Sequence, residues 1–121
     1  MDALRGLRVL VVEDEALLAL ELEDMLADLG AEVVGPATTL EEGLVLAAAD
    51  VADAAVLDLN LNGLRSFPIA ERLRARRSPF IFATGYALDA DAASLDEPVV
   101  EKPYDRRKIG AALAAALSRR A

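Results

Sequence analysis

The chain has 121 residues, 55% of them apolar and 28% charged, with a formal net charge of −8 and neither histidine nor cysteine. That length predicts one domain, residues 1–121, with one hydrophobic core, and that composition excludes a disordered tail. The charge argues against a nucleic-acid partner, and the missing residue types exclude Ser-His and Cys-His nucleophiles, histidine zinc sites and disulfides.

Leu7 to Val12 is a short β-branched run that predicts a strand. It is cut off by Glu13-Asp14-Glu15, too early for the apolar core of an export signal. Glu15 to Leu29 follows with Leu18, Leu22, Met25, Leu26 and Leu29 at helical spacing and Gly30 as its C-terminal cap. Glu32 to Ala37 is a weaker strand ending at Gly35-Pro36, and Leu40 to Ala48 a short helix. Ala54 to Leu57 is a buried strand running into Asp58, after which "LNLNG" is expected to form a loop. Arg65 to Arg77 predicts a helix with Ile69 and Leu73 inward and its arginines toward solvent. Phe80 to Ala83 is a strand that stops at Thr84-Gly85. A weak helix around Leu88 to Leu95, the tiny strand Val99-Val100 and a helix with Ile109, Leu113, Ala116 and Leu117 on one face complete the chain. No segment reaches the ~18 uninterrupted apolar residues of a membrane span, so a cytoplasmic protein without a membrane partner is expected.

This alternation makes five βα units, the pattern of an α/β protein with a parallel sheet covered on both faces. The expected architecture is a flavodoxin-like, doubly wound (βα)5 fold with strand order 2-1-3-4-5, in which ligands bind beyond the carboxyl ends of the strands. Those ends carry Glu13 and Asp14, Asp58, Thr84 and Lys102. Each has an ordinary structural role available: a helix cap for Asp14, a first-turn acid for Glu13, an Asx turn for Asp58, a turn hydroxyl for Thr84, a surface lysine for Lys102. Together they place polar groups from four of the five strands on one edge.

Three carboxylates drawn together repel, each pair by roughly 4 kcal/mol at about 4 Å and an effective dielectric near 20. Lys102 offsets one negative charge, and the remaining two call for a divalent cation; an all-oxygen set suits Mg²⁺. The chain uses Arg eleven times and Lys only at 102 and 108, so a compact ammonium after Val99-Val100 stands out. A carboxylate, a hydroxyl and a lysine around Mg²⁺ suit phosphoryl transfer to a carboxylate, with Asp58 as the leading nucleophile.

The motifs "VLVVEDE", "AVLDLNLNG", "FATGY" and "VVEKPY", in this order and spacing, resemble the receiver domain of bacterial two-component response regulators. The likeness spans essentially the whole chain, and Phe82-Ala83-Thr84-Gly85-Tyr86 is similar to the FATGUY subgroup, often stand-alone receivers. The resemblance implies that Asp58 is the phosphoacceptor and that Glu13, Asp14, Asp58 and the backbone carbonyl of Asn60 hold Mg²⁺. It implies that Thr84 and Lys102 bind phosphoryl oxygens, that Gly85 leaves clearance for the group, and that Asn60 and Tyr86 tune its lifetime. A cis bond is expected at Lys102-Pro103. The phosphoryl donor would be a sensor histidine kinase or a histidine phosphotransferase, and the output a contact with a downstream protein or a further transfer.

Two features depart from the common receiver pattern. Val99 stands where many receivers have an aromatic switch residue, and Tyr104 is expected to pack in the core. The segment Ala87 to Glu97 holds four acids with only Leu88 and Leu95 as large apolar anchors, so weak order is expected there. Two other readings compete: a degenerate receiver serving as a scaffold, and a small Mg²⁺-dependent phosphatase with an aspartyl nucleophile. The phosphatase pattern wants a second acid two residues after Asp58, where this chain has Asn60.

Overall fold

β1 (Arg8–Val12), β3 (Ala54–Asp58) and β6 (Phe80–Thr84) bury four of five residues in the first and all five in the other two. Strands covered by helices on both faces read as continuous apolar runs because neither face meets water. The computed structural model, which describes residues 4–85 and 95–120, shows that cover. Val9, Val11, Val56 and Ile81 pack with Leu22 and Leu26 of α1 (Ala16–Asp28) and Ile109 and Leu113 of α4 (Arg106–Arg120). Leu10, Val12, Leu57 and Phe82 pack in a second cluster with Ala47 of α2 (Leu40–Ala48) and Ile69 and Leu73 of α3 (Phe67–Ala75). Successive strand residues therefore serve two cores on opposite faces of one sheet. Each large side chain buried this way contributes about 1.5–3 kcal/mol.

With β2 (Glu32–Ala37) and β7 (Val99–Glu101) at the edges, the sheet order is β2-β1-β3-β6-β7 and every pairing is parallel. This is the expected 2-1-3-4-5 order. It puts β3 at the centre, with the ends of β1 and β6 on either side of Asp58. β2 tolerates Pro36 because an edge strand can forgo a donor. The register of β1 with β2 shifts between Leu10 and Val12, beside Gly35. Gly35 has φ 96°, and a Cβ there would lie 2.7 Å from the Ala37 nitrogen, so only glycine fits.

Helix ends follow local chemistry. Gly30 (φ 91°) closes α1: its N–H donates to Ala27 O at 3.0 Å and that of Ala31 to Leu26 O at 2.9 Å. Thr39 caps α2 by accepting from Glu42 N at 3.1 Å. α1 itself has Glu15 at its N-cap with no side-chain cap bond, so Asp14 does not cap it.

Two expectations need correction. The helix expected over Arg65–Arg77 covers only Phe67–Ala75, because Pro68 belongs in a first turn and Arg77 takes φ 57° beyond the end. The "LNLNG" segment is a small antiparallel hairpin, β4 (Asn60–Leu61) with β5 (Leu64–Arg65), turned by Asn62 (φ 50°) and Gly63 (φ 88°). Two successive positive-φ residues, Asn then Gly, are the signature of a type I′ turn. The Gly35-Pro36 and Lys102-Pro103 peptides are cis, the second as expected. Tyr86 and most of the weak helix placed around Leu88 to Leu95 lie outside the described residues. The end of that segment is held, with Leu95 against the core and Glu97 Oε1 2.7 Å from Arg74. None of the helices among the described residues is long and apolar enough to cross a membrane.

Candidate functional site

The strand order brings the polar strand ends together. Asp58 ends β3, Glu13 and Asp14 follow β1, Thr84 ends β6 and Lys102 follows β7. Backbone bonds lock these ends in place: Lys102 N donates to Thr84 O at 2.8 Å, Leu59 N to Ala83 O at 2.8 Å, and Glu13 N to Ala37 O at 3.0 Å. Asp14, Glu15, Asp58, Asn60, Arg65, Thr84, Gly85 and Lys102 line one cavity of about 320 Å³.

Inside it, Lys102 Nζ lies 3.0 Å from Asp58 Oδ2 and 3.1 Å from Glu13 Oε1. Glu13, Asp14 and Asp58 each place a carboxylate oxygen within 4.8 Å of the others. Glu13 is fully buried yet supplied with donors. Besides Lys102, the hydroxyl of Tyr104 donates to Oε1 at 2.6 Å and Glu15 N to Oε2 at 3.2 Å. The hairpin serves the other two acids: Asn60 N donates to Asp58 Oδ1 at 3.2 Å and Asn62 N to Asp14 Oδ2 at 3.0 Å. The Asx-turn geometry considered for Asp58 is thus present, alongside a second role for the same carboxylate.

The electrostatics follow from this crowding. Burial, reinforced by Glu13 and Asp14, pushes the Asp58 carboxyl up to about 8, against the pull of Lys102. Burial would raise Asp14 too, but hydrogen bonds from Asp58 and Asn62 N outweigh it and hold that carboxyl below its ordinary value. Lys102 would be lowered by burial, yet Asp58 and Glu13 beside it hold the ammonium above its ordinary value. Burial and the Glu13 carboxylate push the Tyr104 phenol up, so it remains a donor. Burial and the two neighbouring acids thus favour the neutral form of the Asp58 carboxyl, and Lys102 the charged form. A cation among the three oxygens would favour the charged form as well. The donor set is hard, all-oxygen and in excess negative charge, which fits Mg²⁺.

Every candidate residue within the described part of the chain reaches this one site. Thr84 is buried and lines the cavity. Gly85 is exposed, and a Cβ there would meet no atom within 4 Å, so the space before it is open. Tyr86 lies outside the described residues. Sequence reasoning missed two members. Tyr104 is in the core as expected, but its hydroxyl is also the closest donor to Glu13. Arg65, assigned to a solvent-facing helix, stands on the hairpin and lines the cavity. The Asn62-Gly63 pair between Leu61 and Leu64 was the available signal for that hairpin.

Residues 9–114 match the response regulator receiver domain family. The chain belongs to that family. Among solved structures, this receiver is 44% identical to SdrG from Sphingomonas melonis Fr1, covering 97% of this chain and 99% of that one with a TM-score of 0.82. It is 26% identical to the receiver domain of the sensor histidine kinase PA1611 from Pseudomonas aeruginosa PAO1, over 93% of this chain and 98% of that one, with a TM-score of 0.81. That structure holds a magnesium ion coordinated in its active-site cleft. A curated relative, the phyllosphere-induced regulator PhyR of Methylorubrum extorquens, is 29% identical over 90% of this receiver and 43% of its own length. The chain spans under half the length of the curated relatives it matches, 42% of the mycobacterial regulator PdtaR, for instance.

Proposed function

We propose that this receiver acts in the cytoplasm and takes a phosphoryl group onto Asp58, in a Mg²⁺-dependent reaction, from a sensor histidine kinase or histidine phosphotransferase. It then signals by contact with a downstream protein or by passing the group on. The proximity of Lys102 Nζ to Asp58 Oδ2, 3.0 Å, with Glu13 and Asp14 clustered about Asp58 and Thr84 lining the same cavity, carries this reading. A scaffold would not need three clustered acids, two of them buried, since one structural turn uses one acid and each buried charge is costly.

An Asp58 oxygen attacks the phosphorus of a phosphohistidine, the P–N bond breaks, and the imidazole leaves with the bonding pair; the product is an acyl phosphate. Lys102 would follow the charge from the Asp58 oxygen onto the phosphoryl group, and the Thr84 hydroxyl would donate to a phosphoryl oxygen. Glu13 and Asp14, with Asp58 and the Asn60 carbonyl, would hold Mg²⁺, which supplies neutralising charge at the phosphoryl oxygens. Mg²⁺ and acetyl phosphate should add one phosphoryl mass to the intact protein. The gain should vanish in Asp58→Asn and with EDTA. Absence of the gain with both acetyl phosphate and a histidine phosphodonor would refute the reading.

A further inference from the structure

Arg65 ends β5, paired in antiparallel register with Asn60, and contributes to the wall of the cavity that holds Asp58, Thr84 and Lys102. The Asn62-Gly63 turn returns the chain after two residues, so Arg65 comes back beside the strand end it left at Asp58. Lys102 Nζ lies 3.0 Å from Asp58 and 3.1 Å from Glu13. A phosphoryl group brings about −1.5 to −2 further charge into this cavity. Arg65 is the second cation lining it among the described residues. Its planar fork matches two phosphoryl oxygens in a way an ammonium does not.

We infer that Arg65 is a phosphoryl-binding residue of this site, which holds the incoming phosphoryl group and, by the same charge, opposes the binding of the divalent cation. The inference rests on the phosphoacceptor reading of Asp58. It gives two effects of opposite sign from one side chain. Removing the charge relieves repulsion on Mg²⁺ and at the same time weakens the hold on a phosphodonor. Damage to the hairpin would do otherwise: it would release Asn60 N and Asn62 N from Asp58 and Asp14 and impair both functions together.

Compare the wild type with Arg65→Gln and Arg65→Lys, measuring Mg²⁺ affinity by calorimetry and the acetyl phosphate dependence of Asp58 phosphorylation by mass. Arg65→Gln should bind Mg²⁺ about threefold more tightly, as expected when one positive charge is removed from the wall of a wet cavity that takes a divalent cation. Its KM for acetyl phosphate should rise about tenfold, the loss of a charge-assisted contact. Arg65→Lys should keep the wild-type Mg²⁺ affinity and show an intermediate KM. Unchanged or weaker Mg²⁺ binding in Arg65→Gln, or a KM in Arg65→Gln equal to that of a wild type that is phosphorylated, overturns the role of Arg65 alone. A wild type that binds Mg²⁺ but takes no phosphoryl group at Asp58 overturns the Asp58 reading and this role with it.

Discussion

Glu13 shows how much one buried side chain can organise. It has no exposure, yet it accepts from Tyr104, Lys102 and the Glu15 backbone, so its charge stays satisfied while it remains beside Asp58. The acid itself stood out in the sequence because it follows an apolar strand. Its partner did not, because Tyr104 lies 91 residues away and an aromatic after Lys-Pro reads as core packing. Both readings hold for Tyr104, and the hydroxyl separates them. Tyr104→Phe keeps the ring and removes a donor from a buried carboxylate, which should cost about 1–3 kcal/mol in chemical denaturation in EDTA. A change below about 0.5 kcal/mol would mean that Glu13 is held by Lys102 and Glu15 N without it.

At the scale of elements, the long apolar runs and amphipathic helices were legible because periodicity over many residues is a strong signal. The hairpin was not, since two-residue strands have no period to detect; only Asn62-Gly63 marked it. That gap cost the placement of Arg65 and of the two backbone donors to Asp58 and Asp14. The end of α3 was misplaced for a related reason. Arg77 continues a run of arginines but holds φ 57°, with its N–H donating to Arg74 O at 3.0 Å and that of Ser78 to Leu73 O at 2.9 Å. This is the terminating geometry that α1 achieves with Gly30. A left-handed conformation costs a non-glycine residue about 1–2 kcal/mol, partly offset by the greater unfolded-state freedom of glycine. Arg77→Gly should therefore stabilise the protein by about 0.5–1 kcal/mol in urea unfolding; a loss of stability would show that the arginine side chain contributes more than its backbone costs.

For the whole molecule, the sheet order converts separate strand ends into one charged site, and stability and function then meet at Asp58. Its carboxyl, pushed up to about 8, binds a proton more tightly folded than unfolded. That contribution favours the fold at low pH and is lost as pH rises from about 4 toward 8. Asp14, held below its ordinary value, acts in the opposite sense only at the acid end, below about pH 4. Without divalent cations, thermal stability should fall between about pH 5 and 8, and Asp58→Asn should flatten that slope. The rise in Tm on adding Mg²⁺ should be small near pH 5 and larger near pH 8, because the cation no longer competes with a proton. A pH-independent Mg²⁺ shift would contradict this. Which carboxylate carries the phosphoryl group decides what this site does. Borohydride reduction after phosphorylation with acetyl phosphate and Mg²⁺ converts an aspartyl phosphate to homoserine, which peptide mass mapping locates. Homoserine is predicted at position 58; homoserine at position 14 or at any other acid, or none in a protein shown to bind Mg²⁺, would contradict the account.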